Sequence, residues 1–138
     1  MNVRTLVSLC LLAACTPAGA AELAVTVAGV RSAQGTVGLS IVDSADAWDG
    51  KAKAVVLTQL PAKEGSVVFH VPDLPPGRYA ASVRHDENGN DKLDVNVTGI
   101  PIEGYGFSNN PDVMRKATFD EARFDLGADG GAITIDLR

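Results

Sequence analysis

Asp86, Asn88 and Asn90 stand at alternate positions in His85-Asp86-Glu87-Asn88-Gly89-Asn90-Asp91-Lys92-Leu93-Asp94, and Asp94 occupies the ninth place counted from Asp86. Side-chain oxygens at the first, third, fifth and ninth places, with the Lys92 carbonyl at the seventh, suit a hard cation. The spacing resembles an EF-hand-type loop and points to Ca²⁺, which takes six to eight oxygens in a flexible shell. Leu93 supplies the apolar anchor usual at the eighth place. Two residues depart from the pattern. Asp91 stands at the sixth place, where a glycine makes the sharp turn, and Val97 at the twelfth, where a bidentate carboxylate belongs. No helical period flanks the loop, and Asp, Asn and Gly are also the commonest turn formers, so a plain polar hairpin loop competes.

A second candidate follows in Gly99-Ile100-Pro101-Ile102-Glu103-Gly104-Tyr105-Gly106-Phe107-Ser108-Asn109-Asn110. In one reading Ile100, Tyr105 and Phe107 cover an end of the domain. In the other, Glu103, Tyr105 and Phe107 form a ligand platform of the kind sugar-binding modules use.

Catalytic constellations are hard to assemble from the remaining residues. His85 and Asp86 are neighbours on a strand and point to opposite faces, so their spacing makes no dyad. Ser82 and Ser108 lack a nucleophile-elbow context. His70 and His85 alone do not make a zinc site. Scattered Asp and Glu leave a glycosidase-type pair open.

The elements that would position these groups are strands. Leu23, Val25 and Val27 alternate with smaller or polar residues, as do Val37, Leu39 and Ile41; Val67, Phe69 and Val71; Tyr79, Ala81 and Val83; Ala122, Phe124 and Leu126; and Ile133, Ile135 and Leu137. Period two marks half-buried strands. Ala54 to Leu60 is a weaker seventh, and Ser44 to Ala52 offers one helical turn around Trp48. The pattern predicts an all-β fold: an immunoglobulin-like or transthyretin-like antiparallel β-sandwich of about seven strands. Val25, Leu39, Phe69, Tyr79, Val83, Phe124 and Ile135 should share its core. Between Asp86 and Thr118 strand alternation fails, and a loop that long is usually functional or anchored.

Residues 1–20 read as a signal peptide. Arg4 precedes an apolar run from Thr5 to Ala14 that is too short to span a bilayer, and Ala18-Gly19-Ala20 is a small-x-small cleavage site. Cleavage before Ala21 leaves a single domain over residues 21–138, periplasmic or secreted. A second route competes: Leu12-Ala13-Ala14-Cys15 resembles a lipobox, and lipidated Cys15 would anchor the product to a membrane. Both cysteines, Cys10 and Cys15, lie in or beside the signal, so cleavage leaves no disulfide and no thiol chemistry. With 12 Lys and Arg against 17 Asp and Glu, the formal charge is −5. An acidic chain argues against nucleic acid and anionic membranes as partners and leaves a protein or small-molecule ligand.

Taken together, Leu74-Pro75-Pro76-Gly77-Arg78-Tyr79-Ala80, His85 to Asn90, Leu93-Asp94 and Gly99 to Ser108 resemble the bacterial exported family catalogued as domain of unknown function 2141. The likeness extends to Phe119 and to Ala122 through Leu126, and covers nearly all of the chain after the signal. That family usually has glycine where this chain has Asp91. The resemblance implies an extracytoplasmic β-sandwich, with no established activity and no catalytic residue to carry over. The sequence is therefore read as a non-catalytic extracytoplasmic module with a calcium loop. The alternative is a carbohydrate-binding protein or hydrolase using the 99–110 segment.

Overall fold

The computed structural model describes residues 21–138. The expected signal, with Cys10 and Cys15, lies outside the described residues.

Eight strands and two single-turn helices follow in chain order. They are β1 (Ala21–Val30), β2 (Thr36–Val42), α1 (Ala45–Trp48), β3 (Val56–Pro61), β4 (Gly65–Leu74), β5 (Gly77–Asp86), β6 (Tyr105–Phe107), α2 (Phe119–Ala122), β7 (Arg123–Leu126) and β8 (Gly131–Asp136). They form an all-β sandwich. One sheet has the order β4-β1-β8; the other runs β3-β2-β5-β6, with β7 also paired to β5. Pairing is antiparallel except between β1 and β8, which run parallel with Leu23 opposite Gly131 and Val27 opposite Ile135.

The period-two pattern decides which residues meet between the sheets. Val25, Leu39, Phe69, Tyr79, Val83 and Ile135 are buried together in one cluster, as their phase predicts. Phe124, expected among them, is half-buried and packs from the side, its ring 6.3 Å from that of Tyr79. The turn before β5 is fixed by the Tyr79 hydroxyl, which donates to the Pro75 carbonyl at 2.6 Å. Burial, reinforced by the negative charge of Asp43, pushes the Tyr79 phenol above its usual pKa.

A second, smaller cluster lies outside the five-strand sheet. Val42, Trp48, Ala80, Phe107, Ala117 and Ala122 are buried there, on top of the sheet rather than beneath it. The expected helical turn around Trp48 is α1, capped by the Ser44 hydroxyl, which accepts from Ala47 N at 3.2 Å. Ala122, expected at the start of a strand, instead closes α2. The reason is a capping box: Thr118 Oγ1 accepts from Glu121 N, and the Glu121 carboxylate accepts from Thr118 N.

β5 is the strand that positions everything else. It pairs along its length with β2, and on its other edge first with β7 at residues 77–80 and then with β6 at residues 82–84. Ser108 manages the change of partner. Fully buried, its hydroxyl accepts from Ala81 N at 2.8 Å and donates to the Ala122 carbonyl. β6 also touches the end of the chain: Tyr105 and Arg138 exchange main-chain hydrogen bonds of 3.2 and 2.9 Å. This close approach requires Gly106, since a Cβ there would stand 2.7 Å from the Asp136 carbonyl oxygen.

Candidate functional site

The chain leaves β5 at Asp86 and returns at Tyr105. Two buried carboxylates hold the intervening loop. Asp86 is 2% exposed, and its carboxylate accepts three main-chain N–H groups: Oδ1 from Gly89 at 2.8 Å and Asn90 at 3.2 Å, and Oδ2 from Asp91 at 2.7 Å. Glu103 is 6% exposed and spans the loop, Oε1 accepting from Glu87 N and Oε2 from Asp94 N, each at 3.0 Å. Charge-assisted bonds to main-chain donors are among the stronger hydrogen bonds, and here they replace an apolar core.

These contacts wind the 86–94 segment into a tight coil. Asp91 takes a left-handed φ of 61°, the conformation for which glycine is usually chosen. Its main-chain N–H, donated to Asp86 Oδ2, supports that turn, so Asp91 fills the sixth place in spite of its side chain. The side chains of Asn88, Asn90 and Asp94 converge. Asn88 Nδ2 donates to Asp94 Oδ2, and Asn90 Nδ2 donates to Asp94 Oδ1 at 2.9 Å and Oδ2 at 3.1 Å. Asn88 Oδ1 accepts from Asn90 N at 3.1 Å, and Asn90 Oδ1 from Lys92 N at 3.0 Å. The loop brings together the side chains of Asn88, Asn90 and Asp94, while the Asp86 carboxylate is engaged by main-chain amides of the loop and Lys92 is exposed. Of the expected side-chain ligands, only Asp86 and Asp94 are carboxylates. Among the described residues no group of three or more His, Cys, Asp or Glu gathers within reach of one metal ion.

Gly35, in the turn between β1 and β2, seats the root of the loop. With a φ of 70° and an ideal Cβ position only 1.9 Å from the Asp86 carbonyl oxygen, it leaves no room for a side chain. Beside it His85 is fully buried. Its Nε2 lies 2.7 Å from the Gln34 carbonyl, which can only accept, so Nε2 carries the proton. His85 Nδ1 has no hydrogen-bond partner among the described residues, and the nearest carboxylate oxygen, Glu87 Oε1, is 3.8 Å away. Glu87 is held in turn by Arg31, which also donates to the Ile102 carbonyl at 2.6 Å.

The Glu103 carboxylate is taken up by the loop amides and does not join Tyr105 and Phe107 in lining a pocket. Those two aromatic residues project from the outer face of the five-strand sheet, opposite Arg84 and Ser82 of β5. Their rings pack edge to face at 5.8 Å, and Phe107 lies 5.8 Å from Trp48. They form one wall of a groove of about 890 Å³ that sequence reasoning missed. Its floor is made by Gly38, Ser40 and Ser82, small residues at outward positions of β2 and β5. Leu57 forms the opposite wall, and Leu93 and Pro101 of the carboxylate-held loop close one side. The signal was the smallness of those outward residues, which alternation records only as non-core.

The family described as an uncharacterized protein conserved in bacteria, DUF2141, matches over residues 25–134. No curated protein and no solved structure gives a match. The matched span includes the 86–94 coil, the Glu103 clamp and the groove, and on that span the chain belongs to the DUF2141 family.

Proposed function

We propose that this protein is a non-catalytic extracytoplasmic binding module whose 86–94 loop takes Ca²⁺. The observation that carries the reading is the convergence of Asn88, Asn90 and Asp94 on one side of a coil in which Asp91 adopts the left-handed turn at the sixth place. For the Asn side chains to serve as ligands, each amide oxygen must leave the main-chain N–H it now accepts, that of Asn90 or of Lys92, and turn toward the cation beside Asp94. Three of the roughly four lone-pair directions of Asp86 are taken by main-chain N–H groups, and one on Oδ2 stays open. The Lys92 carbonyl and water complete a shell that Ca²⁺ tolerates better than Mg²⁺, which demands a rigid octahedron.

Calcium here is structural. It joins Asp86 and Asp94 and fixes a loop with few apolar contacts against the sandwich. Outside the cytoplasm an affinity of roughly 10⁻⁴–10⁻³ M suffices. A ligand that binds only the folded state adds about 2.7 kcal/mol at a hundredfold excess over its Kd. The test is thermal melting with millimolar calcium or with chelator. The wild-type midpoint rises with calcium, and Asp86→Ala abolishes the rise; a wild-type midpoint that ignores calcium makes the loop a plain turn. The extracytoplasmic address rests on the apolar segment and the Ala18-Gly19-Ala20 site. Mass spectrometry of the mature N-terminus checks it, Ala21 supporting the soluble product and acylated Cys15 the anchored one.

A further inference from the structure

We infer that the groove on the outer face of the five-strand sheet binds a small anionic amphiphile, its acid head on Arg84 and its apolar chain along the trough floored by Ser40 and Ser82. This rests on the binding-module reading but not on calcium.

The groove's volume, about 890 Å³, lies in the range of small-molecule sites. It is open because the sheet is covered unevenly. Trp48, Phe107, Ala117 and Ala122 bury one end of the outer face, whereas Gly38, Ser40 and Ser82 leave the other without side chains to fill it. Two large apolar side chains stand at its mouth, Leu57 at 82% exposure and Met114 at 99%. On one trough they supply walls for an alkyl chain rather than scattered surface apolar groups.

Charge selects the head group. The chain as a whole is acidic, yet the groove is lined by Arg84, Arg115 and Lys116 against a single acid, Asp91. Arg115 is spent on Glu121 in a bidentate pair, both bonds 2.8 Å, and Lys116 donates to the Trp48 carbonyl at 2.7 Å. Arg84 makes no side-chain hydrogen bond among the described residues; the nearest carboxylate oxygen, Oδ1 of Asp91, is 3.9 Å away. Its stem lies across Gly38, whose missing side chain gives the guanidinium room over the groove floor. A guanidinium with open donors beside an apolar trough matches one carboxylate on one hydrocarbon chain.

Equilibrium dialysis with radiolabelled dodecanoate below its micelle concentration tests this, with dodecanol and maltose as competitors. Fluorescence of Trp48, the single tryptophan, gives a second readout through its contact with Phe107. Wild type should bind dodecanoate saturably. Arg84→Gln should weaken binding at least tenfold, and Ser82→Phe, which fills the floor, should abolish it, both variants keeping the wild-type melting midpoint within a few degrees. No saturable binding, an unchanged Arg84→Gln, or equal competition by dodecanol overturns the anionic head group. Competition by maltose assigns the groove to sugars and overturns the proposal. Each arm is run with calcium and with chelator, so a failed calcium response leaves the dodecanoate result intact.

Discussion

The space between the sheets and the loop from Asp86 to Glu103 are stabilised by opposite means. Between the sheets, 17 buried apolar residues among those described form one cluster. In the loop, two buried carboxylates collect five main-chain N–H groups between them. Stability that is spread over many apolar contacts depends on volume. Stability that is concentrated in two acids depends on geometry and charge. The same chain thus carries a framework held by apolar volume and a loop held by charge-assisted hydrogen bonds, and the proposed calcium site lies in the loop.

The most damaging change should be in the framework. Phe69→Ala empties a site that is 3% exposed and should cost about 3–5 kcal/mol in denaturant unfolding. Its calcium response should match that of wild type, because the loop is untouched. A smaller loss, about 2–3 kcal/mol, is expected for Glu103→Ala, which leaves the amides of Glu87 and Asp94 without their acceptor. Here the calcium response should weaken as well, since Asp94 loses its support. Were the two variants to respond alike to calcium, the division between framework and loop would fail.

The smallest effect should come from a surface pair that belongs to neither region. The Glu121 carboxyl is held down to about 2, from a usual 4.5, chiefly by its hydrogen bonds to Arg115 and then by the Thr118 amide. A depressed carboxyl contributes fully above its unfolded value and loses that contribution as pH falls through the folded one. Melting midpoints of wild type and Glu121→Gln should therefore differ slightly above pH 4.5 and converge as pH approaches 2. Convergence at higher pH would show that Arg115 does not hold the group.

Period two made the framework legible: seven of the eight strands follow runs that alternate in sequence, and most of their inward residues are buried, with Val56, Leu60, Phe124 and Ile133 only half-buried. β6 escaped because it has only three residues with Gly106 at its centre, too short for alternation to register. The parallel pairing of β1 and β8 escaped because a strand's own pattern says nothing of its neighbour's direction. In the loop, the alternate spacing singled out Asn88 and Asn90, whose side chains meet Asp94, and Asp86, whose carboxylate instead collects main-chain amides. The clamp did not show, since Glu103 bonds to amides nine and sixteen residues away along the chain. The groove was hidden for a different reason: Gly38, Ser40 and Ser82 matter through the volume they leave empty.

The most direct test of the account is a calcium titration followed by amide NMR. Saturable shifts confined to Asp86 through Asp94 and to Glu103, absent in Asp94→Ala, are the predicted result. Unmoved amides at millimolar calcium, or shifts centred elsewhere on the sandwich, would contradict it.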